Sequence, residues 1–145
     1  MSAAARSVTA VHTTNYFDTF IEVADDSPVG RAVEPPVRAQ ATIASLHYEL
    51  ISESPYALTS DDVIFETYAR RAGIADEERD AARLRFFAKG QPCLRSSPLG
   101  KRYGWGLHHD DQGRVALYAR ESLDYERLAG DAALAHTQAM RSSRV

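Results

Sequence analysis

Hydrophobic and polar positions along this chain change period several times, and each change marks an element. From Thr19 to Ala24 they alternate, with Ile21 and Val23 on one face and Phe20 and Glu22 on the other, which predicts a strand. Ile43, Leu46, Leu50 and Ile51 then recur at helical spacing. Thr42 is placed to cap that helix, and Pro55 bounds it by disfavouring the α region at Ser54. A second helix opens at Thr59 or Ser60, carries Asp61 and Asp62 in its first turn and Arg70 and Arg71 in its last, and stops at Gly73. Its expected buried face is Ile64, Phe65, Tyr68, Ala69 and Ala72, with Glu66 and Arg70 paired one turn apart. A third helix is expected from Asp76 to Lys89, burying Ala81, Leu84 and Ala88 with Phe87 at its margin.

Beyond a loop at 90–102 the period returns to two. Tyr103, Trp105 and Leu107 share one face, while Gly104, Gly106 and His108 share the other. Asp110-Asp111-Gln112-Gly113 is a turn, and Arg114 to Ala119 returns as a strand with Val115 and Leu117 inward. Ser122 caps a short helix with Tyr125 and Leu128 inward and Gly130 as its stop. Residues 131–140 fit a helix or a strand. Asp25 to Gln40 contains three prolines and reads as surface loop.

These elements predict an α+β domain. It is a small antiparallel sheet, with strands near 19–24, 103–109 and 114–119 and a candidate fourth near 135–140, packed against three to four helices. Residues 1–11 are small and polar without period and are expected to be a disordered extension; 12–145 form a single domain.

Composition narrows the function classes. A net charge of −3 opposes non-specific nucleic-acid binding by the whole surface. A single Cys excludes an intramolecular disulfide and a multi-cysteine zinc site, and makes a reducing cytoplasm the expected setting. No apolar run is long enough for a membrane span, and no cofactor fingerprint is present, because the one Gly-x-Gly lies inside a strand.

The chemistry concentrates in Gly90 to His109. This stretch has no acidic residue and holds the only Cys, the only Trp and the cations Arg95, Lys101 and Arg102. Cations, the Ser96 and Ser97 hydroxyls and free backbone N–H groups are the ingredients of an anion site, with Tyr103 or Trp105 available to stack. The competing reading is a solvated loop whose cations pair with the acidic helices and whose aromatics are core. Cys93, beside Arg95, is a candidate nucleophile if folding brings His108 to it as base; otherwise it is a small buried apolar residue. His108 and His109 are adjacent on a strand, so they point to opposite faces and cannot readily share a metal. Asp61/Asp62 and Asp110/Asp111 are explained by helix-dipole and turn chemistry rather than by paired-carboxylate catalysis.

Thr13-Thr-Asn-Tyr16, Asp18-Thr-Phe-Ile21 with Val23-Ala24, Tyr56 with Thr59-Ser-Asp-Asp-Val63, Gly90-Gln-Pro-Cys-Leu-Arg95, Ser97-Pro98, Lys101-Arg-Tyr-Gly-Trp-Gly106 and Ala139-Met-Arg-Ser142 together resemble a family of small microbial proteins classed as a domain of unknown function. The resemblance spans about residues 12–144. It implies no activity and transfers no catalytic residue. Members of that family begin with Met directly before the Thr-Thr-Asn-Tyr segment, where this chain has Val11, so residues 1–10 are expected to be an upstream extension.

Three functions remain in order of preference. The first is a binding module that holds a small anionic molecule or nucleotide through Arg95, Ser97, Lys101 and Arg102, with Tyr103 and Trp105 stacking. The second is a homodimeric interaction domain using the 19–24 strand or the 90–102 loop. The third is a thiol enzyme built on Cys93 and His108.

Overall fold

In the computed structural model, residues 11–142 are described. The expected extension, residues 1–10, lies outside them; Val11 is an exposed coil residue. The elements are β1 (Thr19–Glu22), α1 (Ile43–Glu53), α2 (Ser60–Ala72), α3 (Arg79–Phe86), α4 (Pro98–Arg102), β2 (Trp105–His109), β3 (Val115–Ala119), α5 (Leu123–Ala129) and β4 (Ala135–Gln138), with 3-10 turns at Asp76–Glu78 and Leu94–Ser96. The domain is α+β. Its sheet has the order β3-β2-β1-β4.

The sheet departs from the all-antiparallel expectation at one place. β1 pairs antiparallel with β2, Phe20 opposite His108, but β4 lies parallel to β1, Thr19 opposite Ala135. The cause is connectivity: the chain leaves β3, crosses one face of the sheet through α5 and returns beside β1 in the same direction. This crossover settles residues 131–140 as a turn followed by a strand. It also places β1 between two neighbours, so the 19–24 strand has no free edge to offer a second copy. Arg95 donates from Nε to the Gln138 carbonyl on the outer strand β4.

The sheet is covered on both faces. Ile21, Leu107 and Val115 point to one side, where Ile51 of α1, Val63 of α2, Leu94 and Leu99 complete the main core. Phe20 and Gly106 point to the other side, where Tyr125 of α5 packs edge-on against Phe20 at 5.0 Å. Tyr125 also accepts the backbone N–H of Val23 at its hydroxyl. Gly106 is glycine because those two rings meet over it. A Cβ there would lie 2.6 Å from Phe20 and 2.7 Å from Tyr125, well inside van der Waals contact.

Two helix faces differ from their predicted stripes. In α2 the buried residues include Val63, Phe65, Thr67 and Ala69, while Tyr68 and Ala72 are exposed. Around α3 the inward residues are Ala82 and Phe87, with Ala81, Leu84 and Ala88 exposed. α3 is short and packs on Phe65 and Ala69 rather than on the sheet, so its register is set by that contact and by the Arg83 pairing with Asp62. The segment expected as loop at 90–102 contains a 3-10 turn and α4 instead. Pro98 at the first helical position and the Ser97 side chain accepting the Leu99 N–H make that short helix possible.

The packing at Gly106 predicts that Gly106→Ala lowers unfolding stability by about 1–3 kcal/mol in urea denaturation. Gly30→Ala, at a position with no atom within 4 Å of the new carbon, leaves it nearly unchanged.

Candidate functional site

α1 and α2 are consecutive and lie side by side, and the 91–97 segment crosses beside them. The three enclose a cleft of about 770 Å³. Its walls are apolar, formed by Ile43, Leu46, Ile64, Phe86 and Pro92. Tyr68 at its edge stacks on Phe86 at 4.7 Å. The polar lining comes from His47, Thr67, Cys93 and Ser97, with Gln91 and Ser96 beside them and Arg70 and Arg71 farther along α2.

Each polar group has a definable state. His47 lies on the apolar stripe of α1 and is 6% exposed. Burial pushes its imidazole down from the ordinary value of 6.5 to about 4, so it is neutral near pH 7. Its Nδ1 lies 2.9 Å from the Ser97 hydroxyl, which is 2% exposed and accepts the Leu99 N–H. Thr67, 4% exposed, has a buried hydroxyl oxygen without a hydrogen-bond partner among the described residues. Gln91 spends its amide on the Phe86 carbonyl. Arg70 is neutralised by Glu66 and Glu49. Arg71 has no ion pair among the described residues and is exposed at the cleft. Thr67 and Arg71 are four residues apart on one helix, which places their Cα atoms about 6 Å apart along the helix axis.

The 90–109 stretch is divided between this cleft and other duties. Cys93 and Ser97 line the cleft. Cys93 is 3.1 Å from the Tyr16 hydroxyl, and burial together with that bond raises the phenol to about 12. Arg95 holds the edge of β4, and its carbonyl accepts the Met140 N–H. Tyr103 and Trp105 secure the 25–40 loop: the Tyr103 carbonyl accepts the Val33 N–H, and the indole donates to the Val33 carbonyl while its ring tilts against Tyr48. Gly104 sits between them at φ +79, with the Arg31 carbonyl 3.0 Å from where a Cβ would be. Lys101 and Arg102 have no ion pair among the described residues and lie outside the cleft lining. The structure therefore groups Cys93 with Ser97 and leaves Arg95, Lys101, Arg102, Tyr103 and Trp105 elsewhere.

His108 and His109 do face opposite sides of the sheet. His109 is wholly buried on the helix side, edge-on to Tyr16 at 5.4 Å, with no side-chain hydrogen-bond partner among the described residues. Burial also lowers it to about 4. His108 projects from the other face. There Tyr56, held at the left-handed φ of 59°, places its hydroxyl 2.7 Å from His108 Nδ1 and 2.6 Å from the Tyr118 hydroxyl. Cys93 and His108 thus have separate partners and form no thiol–imidazole pair. Among the described residues, no cluster of three or more His, Cys, Asp or Glu side chains could hold a metal, and no helix is long and apolar enough to cross a membrane.

Sequence reading did not single out His47, Thr67 or Arg71 as site residues. A signal existed for the first: His47 stands four residues from both Ile43 and Ile51, a polar side chain on an apolar stripe. Helix-dipole chemistry accounts for only part of Asp61, whose carboxylate has a more particular role. It accepts the Thr13 hydroxyl, the Thr14 hydroxyl and the Thr14 N–H, each at 2.7 Å, while its own N–H donates to the Asn15 side chain. This clamp fixes the Thr-Thr-Asn segment on the start of α2 and delivers Tyr16 to Cys93 and His109.

The architecture is thus an open α+β domain whose one-sided helix pair carries a ligand-sized cleft. The chain belongs to a family of unknown function, DUF6157, which it matches over residues 11–145. No curated protein and no solved structure matches it.

His47 and His109 give the fold a defined acid sensitivity. In the unfolded chain both imidazoles charge at about 6.5, whereas in the folded chain they resist protonation until about 4. Their contribution to stability is complete above about pH 6.5 and is lost as pH falls towards 4, up to roughly 3 kcal/mol each. Urea unfolding across this range should show His109→Phe losing less stability on acidification than the parent chain. Equal losses in the two would show that His109 is not held neutral.

Proposed function

We propose that this domain binds a small anionic molecule with an apolar body in the cleft between α1, α2 and the 91–97 segment. The observation that carries this reading is the Thr67 hydroxyl: it is buried without a partner among the described residues, and Thr67 belongs to the cleft wall. A buried hydroxyl left unpaired costs about 1–3 kcal/mol, a cost a fold need not bear where packing alone is at stake. The volume is that of a small-molecule site, and the lining has the usual make-up of apolar walls with a few polar groups. Arg71 supplies an uncompensated positive charge at one end, and the neutral hydrogen-bonding groups supply the other. A ligand that fits places its anionic group at Arg71, its body against Leu46, Ile64 and Phe86, and an uncharged polar contact near Thr67.

The test is a thermal-shift and calorimetric titration at low ionic strength, where charge contacts are least screened, using aromatic carboxylates, sugar phosphates and mononucleotides. A saturable rise in melting temperature is expected for at least one anionic class, since a ligand at a hundred times its Kd stabilises by about 2.7 kcal/mol. Arg71→Ala should weaken that binding about tenfold or more while the protein stays folded. No saturable shift with any of these classes would refute the proposal.

Thr67→Val separates the site from the scaffold. It removes the orphan hydroxyl at nearly constant volume, so the ligand-free protein should gain about 1 kcal/mol in urea denaturation while affinity for the same ligand falls. A loss of stability would mean the hydroxyl already has a partner within the fold.

A further inference from the structure

We infer that His47 is held as the Nε2–H tautomer and uses that N–H to select, at the polar end of the cleft, a ligand bearing an oxygen acceptor such as a carbonyl or carboxylate. This rests on the cleft being the binding site and adds what its polar end recognises.

The argument is a count of protons around one buried oxygen. Ser97 Oγ has one hydrogen and two lone pairs. One lone pair accepts the Leu99 N–H at 3.2 Å, and among the described residues the only other hydrogen-bond neighbour of the hydroxyl is His47 Nδ1 at 2.9 Å. If Nδ1 carried the proton, Ser97 would accept twice and its own hydrogen would have no acceptor. At 2% exposure water offers no alternative. With Nδ1 bare, every valence is used: Leu99 N–H donates to Ser97, and Ser97 donates to His47. The second ring nitrogen must then carry the hydrogen. Nε2 has no partner among the described residues, and the ring lines the cleft, so this N–H is left for a ligand.

The direction of the contact sets the specificity. A neutral imidazole N–H offers a hydrogen to an oxygen acceptor but nothing to an ammonium or amide N–H. Apart from Arg70 and Arg71, the polar residues that line the cleft with His47 are uncharged, among them Thr67, Cys93 and Ser97, so discrimination here depends on hydrogen-bond polarity, with charge left to Arg71. His47 is thereby a specificity-determining residue, and Ser97 is the positioning residue that fixes its tautomer.

The closing experiment has two arms. The first is heteronuclear NMR of the imidazole nitrogens in the full-length, ligand-free protein near neutral pH. His47 should show a bare Nδ1 and a protonated Nε2; a protonated Nδ1 overturns the inference without touching the proposal that the cleft binds ligands. The second arm compares three probes that share a carboxylate for Arg71: para-acetylbenzoate, para-ethylbenzoate and para-(aminomethyl)benzoate. The acetyl compound should bind about tenfold more tightly than the ethyl compound and the aminomethyl compound most weakly, which is the size expected of one neutral hydrogen bond. His47→Phe should erase the acetyl preference, and His47→Gln, which keeps an N–H donor, should restore part of it. Equal binding of the acetyl and ethyl probes overturns the inference while leaving the cleft a site. Binding by none of the three overturns the inference's account of the ligand, and the first arm then still decides the tautomer.

Discussion

The arrangement of this domain around its cleft depends on one buried hydroxyl. Ser97 closes the 3-10 turn by donating its backbone N–H to Leu94, caps α4 by accepting the Leu99 N–H, and ties that segment to α1 through His47. The 3-10 turn, α4 and, fifty residues earlier in the chain, α1 therefore meet at one residue. Leu94 and Leu99, on either side of it, enter the main core. Removing the hydroxyl would leave a backbone donor and a buried ring nitrogen unpaired together, which is why the cost of losing it exceeds that of an ordinary surface cap.

A second constraint acts from the N-terminal side. The Asp61 carboxylate gathers Thr13 and Thr14 onto the first turn of α2, where backbone N–H groups also favour a negative charge. The chain then turns at Tyr16 and enters β1 as an interior strand. Tyr16 touches both Cys93 and His109, so the Thr-Thr-Asn-Tyr segment, the cysteine and the β2 strand are coupled through one ring. The cleft sits above this junction, on the helix side of the sheet. The Asp61 clamp orders the start of α2, and the Ser97 tie joins the 91–97 segment to α1, the elements that border it.

The stretch from Gly90 to His109 shows how one local composition serves several ends. Its lack of acidic residues suggests a single anion site when read linearly. In space its members diverge: Arg95 goes to the β4 edge, Tyr103 and Trp105 to the proline-rich loop, and Cys93 and Ser97 to the cleft. Glycine had two further uses here. At 106 it admits two aromatic rings, and at 104 it admits a crossing backbone at a left-handed φ. Neither use concerns a ligand.

The sequence by itself determined the local elements. Caps at Thr42, Thr59 and Ser122, the stop at Gly73, the 110–113 turn and the period-two strands are set by neighbours within a few residues, and all stand in the structure. It also determined the α+β class and the opposite orientation of His108 and His109. Tertiary structure decided the rest. The parallel pairing of β4, the inward face of α3 and the meeting of His47, Thr67, Ser97 and Arg71 depend on contacts between separate elements, Thr19 with Ala135 and His47 with Ser97 among them, and no local period encodes those. His47 marks the boundary between the two. Its place on an apolar stripe is written in the sequence, but whether a buried imidazole is packing or a site depends on what faces it, and that is settled only when Ser97 arrives from fifty residues away.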